Sequence, residues 1–320
     1  MRLFVTGGAG FIGSNYAHHV LRTTDDAVTV FDALTYAGNL DNLRGLEDNP
    51  QFAFIKGDIC DREAVLSAMD AHDAVVHFAA ESHVDRSIAS PDAFVRTNCD
   101  GTNVLCDAAR RVGVDRFVHI STDEVYGSID SGSFTEEDRL GPRSPYSASK
   151  AGSDLIALSY WATYGVPVTV TRSSNNFGPY QFPEKVIPLF VTNLLEGKKV
   201  PLYGDGLNVR DWCFVEDNCA AVDLVLRRGA VGDIYNIGAG NEVSNRVLTE
   251  TILELAGADD SMIEYVEDRL GHDRRYSIDS RKVSELGWAP QREFREALER
   301  TVTWYRDHQW WWEPLKQQGR

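Results

Sequence analysis

Short apolar runs alternate with longer stretches of helical periodicity through the first half of the chain. Most of these runs are about four to seven residues long and rich in β-branched residues. In chain order they are LFVT, VTVFD, FAFIKGD, AVVHFAA (74–80), RFVHIST (116–122) and PVTVTRSS (167–174). Apolar strands separated by crossover helices are typical of a parallel sheet that is buried on both faces. The pattern therefore predicts a doubly wound α/β fold.

The regular alternation ends after about residue 173. Loops rich in Pro, Asn and Gly follow, such as SNNFGPYQFPEKVIP and PLYGDGLNVRDW, with helical patterns at 244–257 and 293–308. WCFVEDNCAAVDLVLRR and IYNIG are apolar enough to return to the first lobe, so we expect the two lobes to interleave. The predicted division is a first domain of residues 1–172 joined by 211–238, and a smaller substrate-binding lobe of residues 173–210 and 239–320.

Composition and charge narrow the classes of partner. The chain has 320 residues, 43% of them hydrophobic, and a formal net charge of −16. General nucleic-acid binders need a broad cationic surface, so this class is excluded. Five scattered cysteines without a C-x-x-C pair predict reduced thiols in the cytoplasm and no metal site. The first residues enter a strand directly and no run approaches the roughly 18 apolar residues of a membrane span, so we expect no membrane partner.

A glycine-rich turn follows the first predicted strand. TGGAGFIG places Gly7, Gly10 and Gly13 where backbone N–H groups can approach a pyrophosphate at a helix N-terminus. Asp32 ends the second strand about 20 residues later, where a carboxylate binds ribose hydroxyls and repels a 2′-phosphate. Asp58 ends the third strand and is expected either to contact the adenine or to cap a helix. The motif therefore indicates a Rossmann domain that binds NAD+ in preference to NADP+.

Tyr146 and Lys150 lie four residues apart in SPYSASK, so they share one face of a predicted helix. A phenol has a pKa near 10 and is a poor base at neutral pH. Lowering this pKa to about 7 takes roughly 4 kcal/mol, which a lysine ammonium and a cationic nicotinamide can supply together. Without a dinucleotide fold, the same spacing would indicate only an amphipathic surface pair. With that fold, the pair predicts base catalysis of hydride transfer.

Two neighbouring carboxylates, Asp123 and Glu124, follow Thr122 at the end of the fifth predicted strand. An isolated Asp-Glu pair is most often a solvated loop or the start of a helix. Directly after Thr122 at a strand end, and with the Tyr/Lys pair present, it instead indicates a functional pair of acids.

Several segments together resemble the extended short-chain dehydrogenase/reductases and, among them, the nucleotide-sugar 4,6-dehydratases. These segments are TGGAGFIGSN, DALTYAGN, HFAAESHVDRS, STDEVYG, YSASK, SNNFGPYQFPEK, GDGLNVRDW and GHDRRY, and they span nearly the whole chain. Epimerases that resemble this fold lack the acid pair. GDP-mannose dehydratases and UDP-glucuronate decarboxylases typically have Ser-Glu in place of Asp-Glu, so much of the resemblance depends on Asp123.

The resemblance implies a lyase that converts dTDP-glucose to dTDP-4-keto-6-deoxyglucose with tightly bound NAD+. Tyr146 would take the C4 hydroxyl proton while NAD+ takes the C4 hydride, with Thr122 near the C4 oxygen. Glu124 would then abstract the C5 proton and Asp123 would protonate the departing C6 hydroxyl. Because the hydride returns to C6, the expected reaction has no net redox change.

The resemblance also implies two sets of contacts. Besides Asp32 and Asp58, the expected cofactor contacts are Gly7, Gly10, Phe11, Ile12, Gly13, Leu34, Thr35, Ile59, Phe78, Ala79, Ala80, Glu81, Ser82, Thr97, Tyr146, Lys150 and Asn176. The expected nucleotide-sugar contacts are Ser82, Thr122, Asn175, Lys185, Val186, Pro201, Leu202, Tyr203, Arg210, Asn245, Arg269 and His272. Arg210 is the best candidate for the diphosphate, because a planar guanidinium grips phosphate well. Asn98 is expected to make a structural hydrogen bond to backbone.

Alternatives stay open at this point. The substrate could instead be UDP- or CDP-glucose, and a remote alternative is a non-catalytic NAD-binding regulator, although this chain retains the whole catalytic set.

The helix in NCDGTNVLCDAARRVG has one apolar face, made of Val104, Leu105, Ala108, Ala109 and Val112. That face either forms a homodimer with the Tyr/Lys helix of a second copy or packs on the chain's own core. The WWWEP segment near the end is expected to pack against the second lobe.

Overall fold

The fold is described by a computed structural model of residues 1–268 and 272–318. Twelve strands form in these residues: β1 (Arg2–Thr6), β2 (Ala27–Asp32), β3 (Phe52–Lys56), β4 (Ala74–His77), β5 (Arg116–Thr122), β6 (Val168–Ser173), β7 (Asn175–Phe177), β8 (Val200–Tyr203), β9 (Val209–Phe214), β10 (Ile234–Ile237), β11 (Glu242–Ser244) and β12 (Ile263–Val266). Seven of them form one sheet in the order β10-β6-β5-β4-β1-β2-β3. All its neighbouring pairs are parallel, which confirms the predicted doubly wound α/β fold.

Helices cover both faces of this sheet and build most of the second lobe. The α-helices of the described residues are α1 (Phe11–Thr23), α2 (Arg62–Met69), α3 (Val84–Ala89), α4 (Pro91–Phe94), α5 (Thr102–Val112), α6 (Pro145–Tyr164), α7 (Val186–Leu195), α8 (Val215–Arg228), α9 (Asn245–Ala256), α10 (Arg281–Glu285), α11 (Phe294–Asp307) and α12 (Gln309–Gln318). The helices predicted at 244–257 and 293–308 are confirmed as α9 and α11. None of these helices has the length and apolar character that crossing a lipid bilayer requires.

Two apolar cores lie on the two faces of the large sheet. Val5 and Val30 belong to the core that also contains residues of α1 and α8. Phe4 and Phe117 belong to the core that also contains residues of α2 and α5. Successive side chains of a strand point to opposite faces, so both faces need apolar residues. This is why the strand sequences read as continuous apolar runs.

Helix α6 carries Tyr146 and is well defined at both ends. The Ser144 hydroxyl accepts a hydrogen bond from the Ser147 N–H at 3.0 Å, and the Ser147 hydroxyl accepts one from the Ser144 N–H at 3.0 Å. Pro145 fits the first helical position because its missing N–H would have no helical partner there. The helix ends at Gly165, whose φ of +72° favours glycine. These end signals place Tyr146 in the first turn of α6.

A third core forms the second lobe, with the small sheets β11-β9-β7 and β12-β8 beside it. Trp311 and Trp312 are 2% and 1% exposed in this core, so the expected packing of the WWWEP segment is confirmed. The chain also crosses between lobes, because β10 pairs with β6 at the edge of the large sheet and α8 packs against α1.

Candidate functional site

The turn between β1 and α1 lies against the backbone that follows β4. Gly7 has φ +69°, and a Cβ added there would lie 2.4 Å from the nitrogen of Ala79. A Cβ added at Gly13 would lie 2.3 Å from the carbonyl oxygen of Gly7. Both positions therefore require glycine. The absent side chains leave a cradle at the N-terminus of α1 that suits a pyrophosphate.

Asp32, at the end of β2, is buried and holds the glycine turn. Its Oδ2 accepts a hydrogen bond from the Ala9 N–H at 2.9 Å, and its Oδ1 accepts one from the Leu34 N–H at 2.8 Å. Burial raises the pKa of Asp32, and these two N–H donors act in the opposite direction. Each carboxylate oxygen has a further lone pair, so the group can also accept hydrogen bonds from ribose hydroxyls.

A cleft of about 280 Å³ runs from the glycine turn to the Tyr/Lys pair. Most of the residues predicted to contact the cofactor line it: Gly7, Gly10, Phe11, Ile12, Gly13, Asp32, Thr35, Asp58, Ile59, Phe78, Ala79, Ala80, Glu81, Ser82, Thr97, Tyr146 and Lys150. Leu34 and Asn176 do not line it. Leu34 acts through its N–H on Asp32, and Asn176 Nδ2 donates to the Ser174 carbonyl at 3.0 Å. The glycine cradle and the strand-end carboxylate fit a dinucleotide.

Tyr146 and Lys150 are both buried beside this cleft. Lys150 Nζ donates to the carbonyl oxygen of Ile120 at 2.7 Å, which anchors the ammonium near the end of β5. Burial lowers the pKa of Lys150 to about 8, opposed by the Asp154 carboxylate. Burial also raises the pKa of Tyr146 well above its usual range, and the charge of Glu124 raises it further. The Thr122 hydroxyl opposes these two effects. The expected acidification of the phenol therefore also needs the Lys150 ammonium and a cationic nicotinamide.

The acid pair lies where β5 ends. The Thr122 hydroxyl caps the short 3₁₀ helix Asp123–Val125 by accepting the Glu124 N–H at 3.2 Å. The same hydroxyl donates to Asp123 Oδ1 at 3.2 Å, whereas Asp123 Oδ2 has no hydrogen-bond partner in the part of the chain that the structure describes. Burial raises the pKa of Asp123 well above its usual range, and the charges of Glu124 and Asp211 add to this. A raised pKa favours the protonated form of Asp123, which is the form that a proton donor needs.

A second cleft of about 190 Å³ opens on Glu124 and lies largely in the second lobe. Most of the residues predicted to contact the nucleotide sugar line it: Asn175, Lys185, Val186, Pro201, Leu202, Tyr203, Arg210, Asn245 and His272. Glu184 and Lys185 line both clefts, so the two are contiguous. Lys185 Nζ donates to the Ser82 carbonyl at 2.8 Å and joins the lobes at this point. Thr122 lines neither cleft, and the predicted Arg269 lies outside the described residues.

Arg210 is buried in the second cleft and tightly oriented. Its guanidinium donates to the Val209 carbonyl at 2.7 Å and to the Asp273 carbonyl at 2.9 Å. It also lies 4.1 Å from the ring centroid of Tyr276. The carbonyls and the aromatic ring fix the orientation of the guanidinium. This arrangement suits the recognition of an anion such as a diphosphate.

Asn98 lies in the π-helical turn Val95–Gly101, which precedes α5. Its Oδ1 accepts the Glu81 N–H at 2.9 Å, and its Nδ2 donates to the Glu81 carbonyl at 3.1 Å. The predicted structural hydrogen bond to backbone is therefore confirmed. By holding Glu81, Asn98 fixes the loop after β4, which lines the first cleft. Single π-turns of this kind are frequent at functional sites.

Comparison with known proteins identifies the family. The sequence profile of a family described as GDP-mannose 4,6 dehydratase matches residues 4–301. The chain belongs to the GDP-mannose 4,6-dehydratase family. This membership confirms the expected resemblance to nucleotide-sugar dehydratases.

Similar proteins within the GDP-mannose 4,6-dehydratase family carry a more specific name. The dTDP-glucose 4,6-dehydratase of Streptomyces antibioticus is 58% identical over 323 residues, covering 99% of this chain and 96% of that protein. The crystal structure of DesIV, a dTDP-glucose 4,6-dehydratase from Streptomyces venezuelae with NAD bound, superposes with a TM-score of 0.97 at 55% identity. The superposition covers 98% of this chain and 100% of the DesIV chain. The crystal structure of a Bacillus anthracis dTDP-glucose 4,6-dehydratase in complex with NAD superposes with a TM-score of 0.92 at 50% identity. This superposition covers 98% of this chain and 99% of the Bacillus anthracis chain.

Some cleft residues of this dehydratase-family member were missed by sequence reasoning. Tyr36, Phe182 and Glu184 line the first cleft, and Trp212 and Tyr276 line the second. Tyr36 and Glu184 each adjoin a residue that was predicted, so adjacency to a motif was the available signal. Trp212 and Tyr276 are the last residues of the quoted segments GDGLNVRDW and GHDRRY, so membership of these segments was their available signal.

Proposed function

We infer that the chain is an NAD-dependent dTDP-glucose 4,6-dehydratase, a lyase that forms dTDP-4-keto-6-deoxyglucose. The observation that carries this proposal is the pair of acids at the end of β5. Asp123 is buried with a raised pKa, and Glu124 opens on the second cleft and acts electrostatically on Tyr146. Dehydration of a sugar needs both an acid and a base, whereas hydride transfer alone needs neither carboxyl group. Relatives with 50 to 58% identity bear this enzyme name, and solved structures of two such enzymes contain NAD.

The first cleft supplies the groups that would hold the cofactor. The glycine turn at the N-terminus of α1 would hold the pyrophosphate, Asp32 would bind a ribose, and the residues from Phe78 to Ser82, which line the same cleft, would contact the nicotinamide. When bound, NAD+ supplies a hydride acceptor that takes the hydride from C4 and later returns it to C6. The cofactor is therefore regenerated in every turnover, and the predicted NAD+ dependence is confirmed by the NAD-containing relatives.

In the first step, Tyr146 as phenolate takes the proton of the C4 hydroxyl. Lys150 stabilises the phenolate side of the equilibrium with its ammonium, held in place by the Ile120 carbonyl at 2.7 Å. Thr122 lies next to both the acid pair and the tyrosine, and we assign it to the C4 oxygen. Oxidation at C4 gives a ketone, which makes the C5 proton acidic enough to remove.

In the second step, Glu124 takes the C5 proton and Asp123 donates a proton to the C6 hydroxyl, which leaves as water. Protonation is needed because hydroxide is a poor leaving group. The Oδ2 of Asp123, which has no hydrogen-bond partner among the described residues, is the atom that we assign to this donation. In the third step, Glu124 returns its proton to C5 while C6 receives the hydride, which leaves the 4-keto group and a methyl group at C6.

The second cleft is proposed to bind the rest of the nucleotide sugar. Arg210 and Lys185 face the diphosphate, and Pro201, Leu202 and Tyr203 line the pocket of the base. Cofactor and substrate would then be divided between lobes. We assign NAD+ to residues 1–172 with 211–238, and the nucleotide sugar to residues 173–210 with 239–320. UDP- or CDP-glucose is not favoured, because the similar proteins described above are named for dTDP-glucose.

Deuterium at C4 of dTDP-glucose is expected to appear in the C6 methyl group of the product. The reason is that the hydride taken from C4 stays on the cofactor until it is returned. Mass spectrometry and NMR of the product measure the position of the label, and UDP- and CDP-glucose run in parallel test the base. Label lost to solvent would contradict the hydride return, and faster turnover of another nucleotide would contradict the assigned substrate.

We also propose a homodimer through α6. Four residues of the face predicted on α5 are buried in the chain's own core: Val104, Leu105, Ala108 and Ala109. That part of the α5 face is therefore not available to a partner. On the neighbouring α6, Leu155 is 61% exposed, Tyr164 is 59% exposed and Trp161 is 42% exposed. A second copy that packs on α6 would remove these apolar side chains from water.

Leu155→Arg is expected to convert the dimer to a monomer, because a charge would be buried without a partner at the interface. Sedimentation velocity measures the change in mass. Val247→Arg is the matched control, since Val247 is 50% exposed on α9 in the other lobe. A monomeric parent protein, or an unchanged mass in Leu155→Arg, would contradict an interface on α6.

A cytoplasmic location is proposed on the state of the cysteines. All five are free thiols, and three of them are buried. Reduced thiols are the rule in compartments that glutathione and thioredoxin keep reducing.

A further inference from the structure

The C-terminal helix α12 reaches back to the glycine turn of the first cleft. Trp311 Nε1 donates to Asn42 Oδ1 at 2.8 Å, and Asn42 Nδ2 donates to the Ala9 carbonyl at 2.8 Å. Ala9 belongs to TGGAGFIG, and its N–H donates to Asp32 Oδ2 at 2.9 Å. One line of hydrogen bonds therefore connects the end of the chain to the turn and to the carboxylate that are assigned to NAD+.

The members of this line are shielded from water. Trp311 is 2% exposed and Asn42 is 1% exposed. The indole is anchored in the second lobe, with ring centroids 5.2 Å from Trp304 and 5.9 Å from Tyr180. Asn42 lies in the 3₁₀ helix Leu40–Leu43 of the first lobe. If Asn42 lost the indole partner, its buried amide oxygen would be left without a hydrogen bond, which costs free energy. The hydrogen bonds of Asn42 therefore favour the present position of the glycine turn.

Trp311 lies outside residues 4–301, the part of the chain that the family profile matches. The hydrogen bond from Trp311 to Asn42 joins residues 269 positions apart. These hydrogen bonds therefore add a contact from the C-terminal segment to the glycine turn. The glycines form the cradle without this contact.

We propose that Trp311 is a positioning residue that, through Asn42, holds the glycine turn in the conformation that retains NAD+. This inference rests on the proposed function, in which the same cofactor molecule serves successive turnovers. Release of a dinucleotide requires the turn to move away from the pyrophosphate. The hydrogen bonds from the second lobe oppose that movement, and Trp311 itself contacts neither the cofactor cleft nor the substrate cleft.

The test compares two tryptophans of the same helix. Trp311→Phe keeps an aromatic ring but removes the N–H that reaches Asn42. Trp312→Phe is the matched control, because Trp312 is 1% exposed and its Nε1 donates to the Tyr305 carbonyl at 2.7 Å within the second lobe. Each protein is loaded with NAD+ and diluted, and the nucleotide that stays with the protein is quantified over time.

We expect the rate of NAD+ release to rise about fivefold in Trp311→Phe, the factor that corresponds to one neutral hydrogen bond. The rate in Trp312→Phe should equal that of the parent, and kcat at saturating NAD+ should be the same in all three proteins. Asn42→Ala removes the same connection from the other side and should also release NAD+ faster, which keeps the test valid if Trp311→Phe folds poorly.

Two results would overturn the inference alone. One is a parental release rate in both Trp311→Phe and Asn42→Ala, and the other is an equal increase in Trp312→Phe, which would indicate general loosening of α12. A parent protein that binds no NAD+ would instead overturn the proposed function, and this inference with it.

Discussion

Glu124→Gln is expected to stop the loss of water from the sugar while leaving the oxidation of C4 in place. Glutamine has nearly the same shape as glutamate but cannot take the C5 proton. General bases typically contribute about 10²- to 10⁴-fold, so product formation should fall by about that factor. The 4-keto sugar and reduced nicotinamide should accumulate instead. Stopped-flow absorbance of the reduced nicotinamide and mass spectrometry of the bound sugar measure these two species.

The same substitution is expected to shift the pH dependence of C4 oxidation. After burial, the charge of Glu124 is the strongest influence that raises the pKa of Tyr146. Glutamine removes this charge, so the pKa of Tyr146 falls. In the proposed mechanism the phenolate is the base, and its fraction rises as pH passes through that pKa. The rise in the rate of nicotinamide reduction should therefore occur at lower pH in Glu124→Gln than in the parent.

Glu137→Gln is the matched control for this prediction. Glu137 is an exposed glutamate in the loop that follows the acid pair, and it lines neither cleft. This variant should form product at the parental rate with the parental pH profile. Parental dehydration by Glu124→Gln would show that another group takes the C5 proton.

Tyr146→Phe is expected to block the reaction one step earlier. Phenylalanine keeps the ring in the first turn of α6 but has no oxygen to take the C4 proton. The rate of nicotinamide reduction should fall by about 10²- to 10⁴-fold, and neither reduced cofactor nor 4-keto sugar should accumulate. NAD+ should still bind, because the glycine turn and Asp32 are untouched. Single-turnover absorbance measures the rate of nicotinamide reduction. The NAD+ content of the purified variant shows whether the cofactor still binds.

Tyr160→Phe serves as the control on the same helix. The Tyr160 hydroxyl donates to Asn103 Oδ1 at 2.9 Å, away from both clefts, so its loss should leave nicotinamide reduction unchanged. If Tyr146→Phe reduced the nicotinamide at the parental rate, the base of the first step would have to be another residue. Tyr146→Phe and Glu124→Gln also separate C4 oxidation from water loss, because only Glu124→Gln should accumulate the oxidised sugar.

The fold could be predicted because its signals are local. Parallel strands with two buried faces must be apolar at successive positions, and Phe4 and Val5 show this by belonging to different cores. The glycine turn was equally readable, since the close approach of Gly7 and Gly13 to backbone excludes any Cβ. The Tyr/Lys and Asp/Glu pairs that we propose for catalysis were readable as pairs for the same reason, because each lies within one segment.

The interleaved second lobe was predictable only in outline. Its loops are rich in Pro, Asn and Gly, but the composition of a loop does not predict which strand the loop packs against. The apolar face of α5 illustrates the limit, since periodicity cannot distinguish a face that packs on the chain's own core from one that meets a partner. Burial of Leu105 and Ala109 in the core decides this for those residues.

By itself, the sequence determined the parallel sheet and the glycine turn, and it supplied the residues that we propose as the reacting groups. Only the tertiary structure decided that the two clefts meet at Lys185, that burial and neighbouring charges raise the pKa of Asp123, and that Trp311 reaches the glycine turn. The physical reason is that apolar periodicity and glycine sterics act between chain neighbours. Desolvation, charge coupling and hydrogen bonds between lobes arise only when distant segments are brought together.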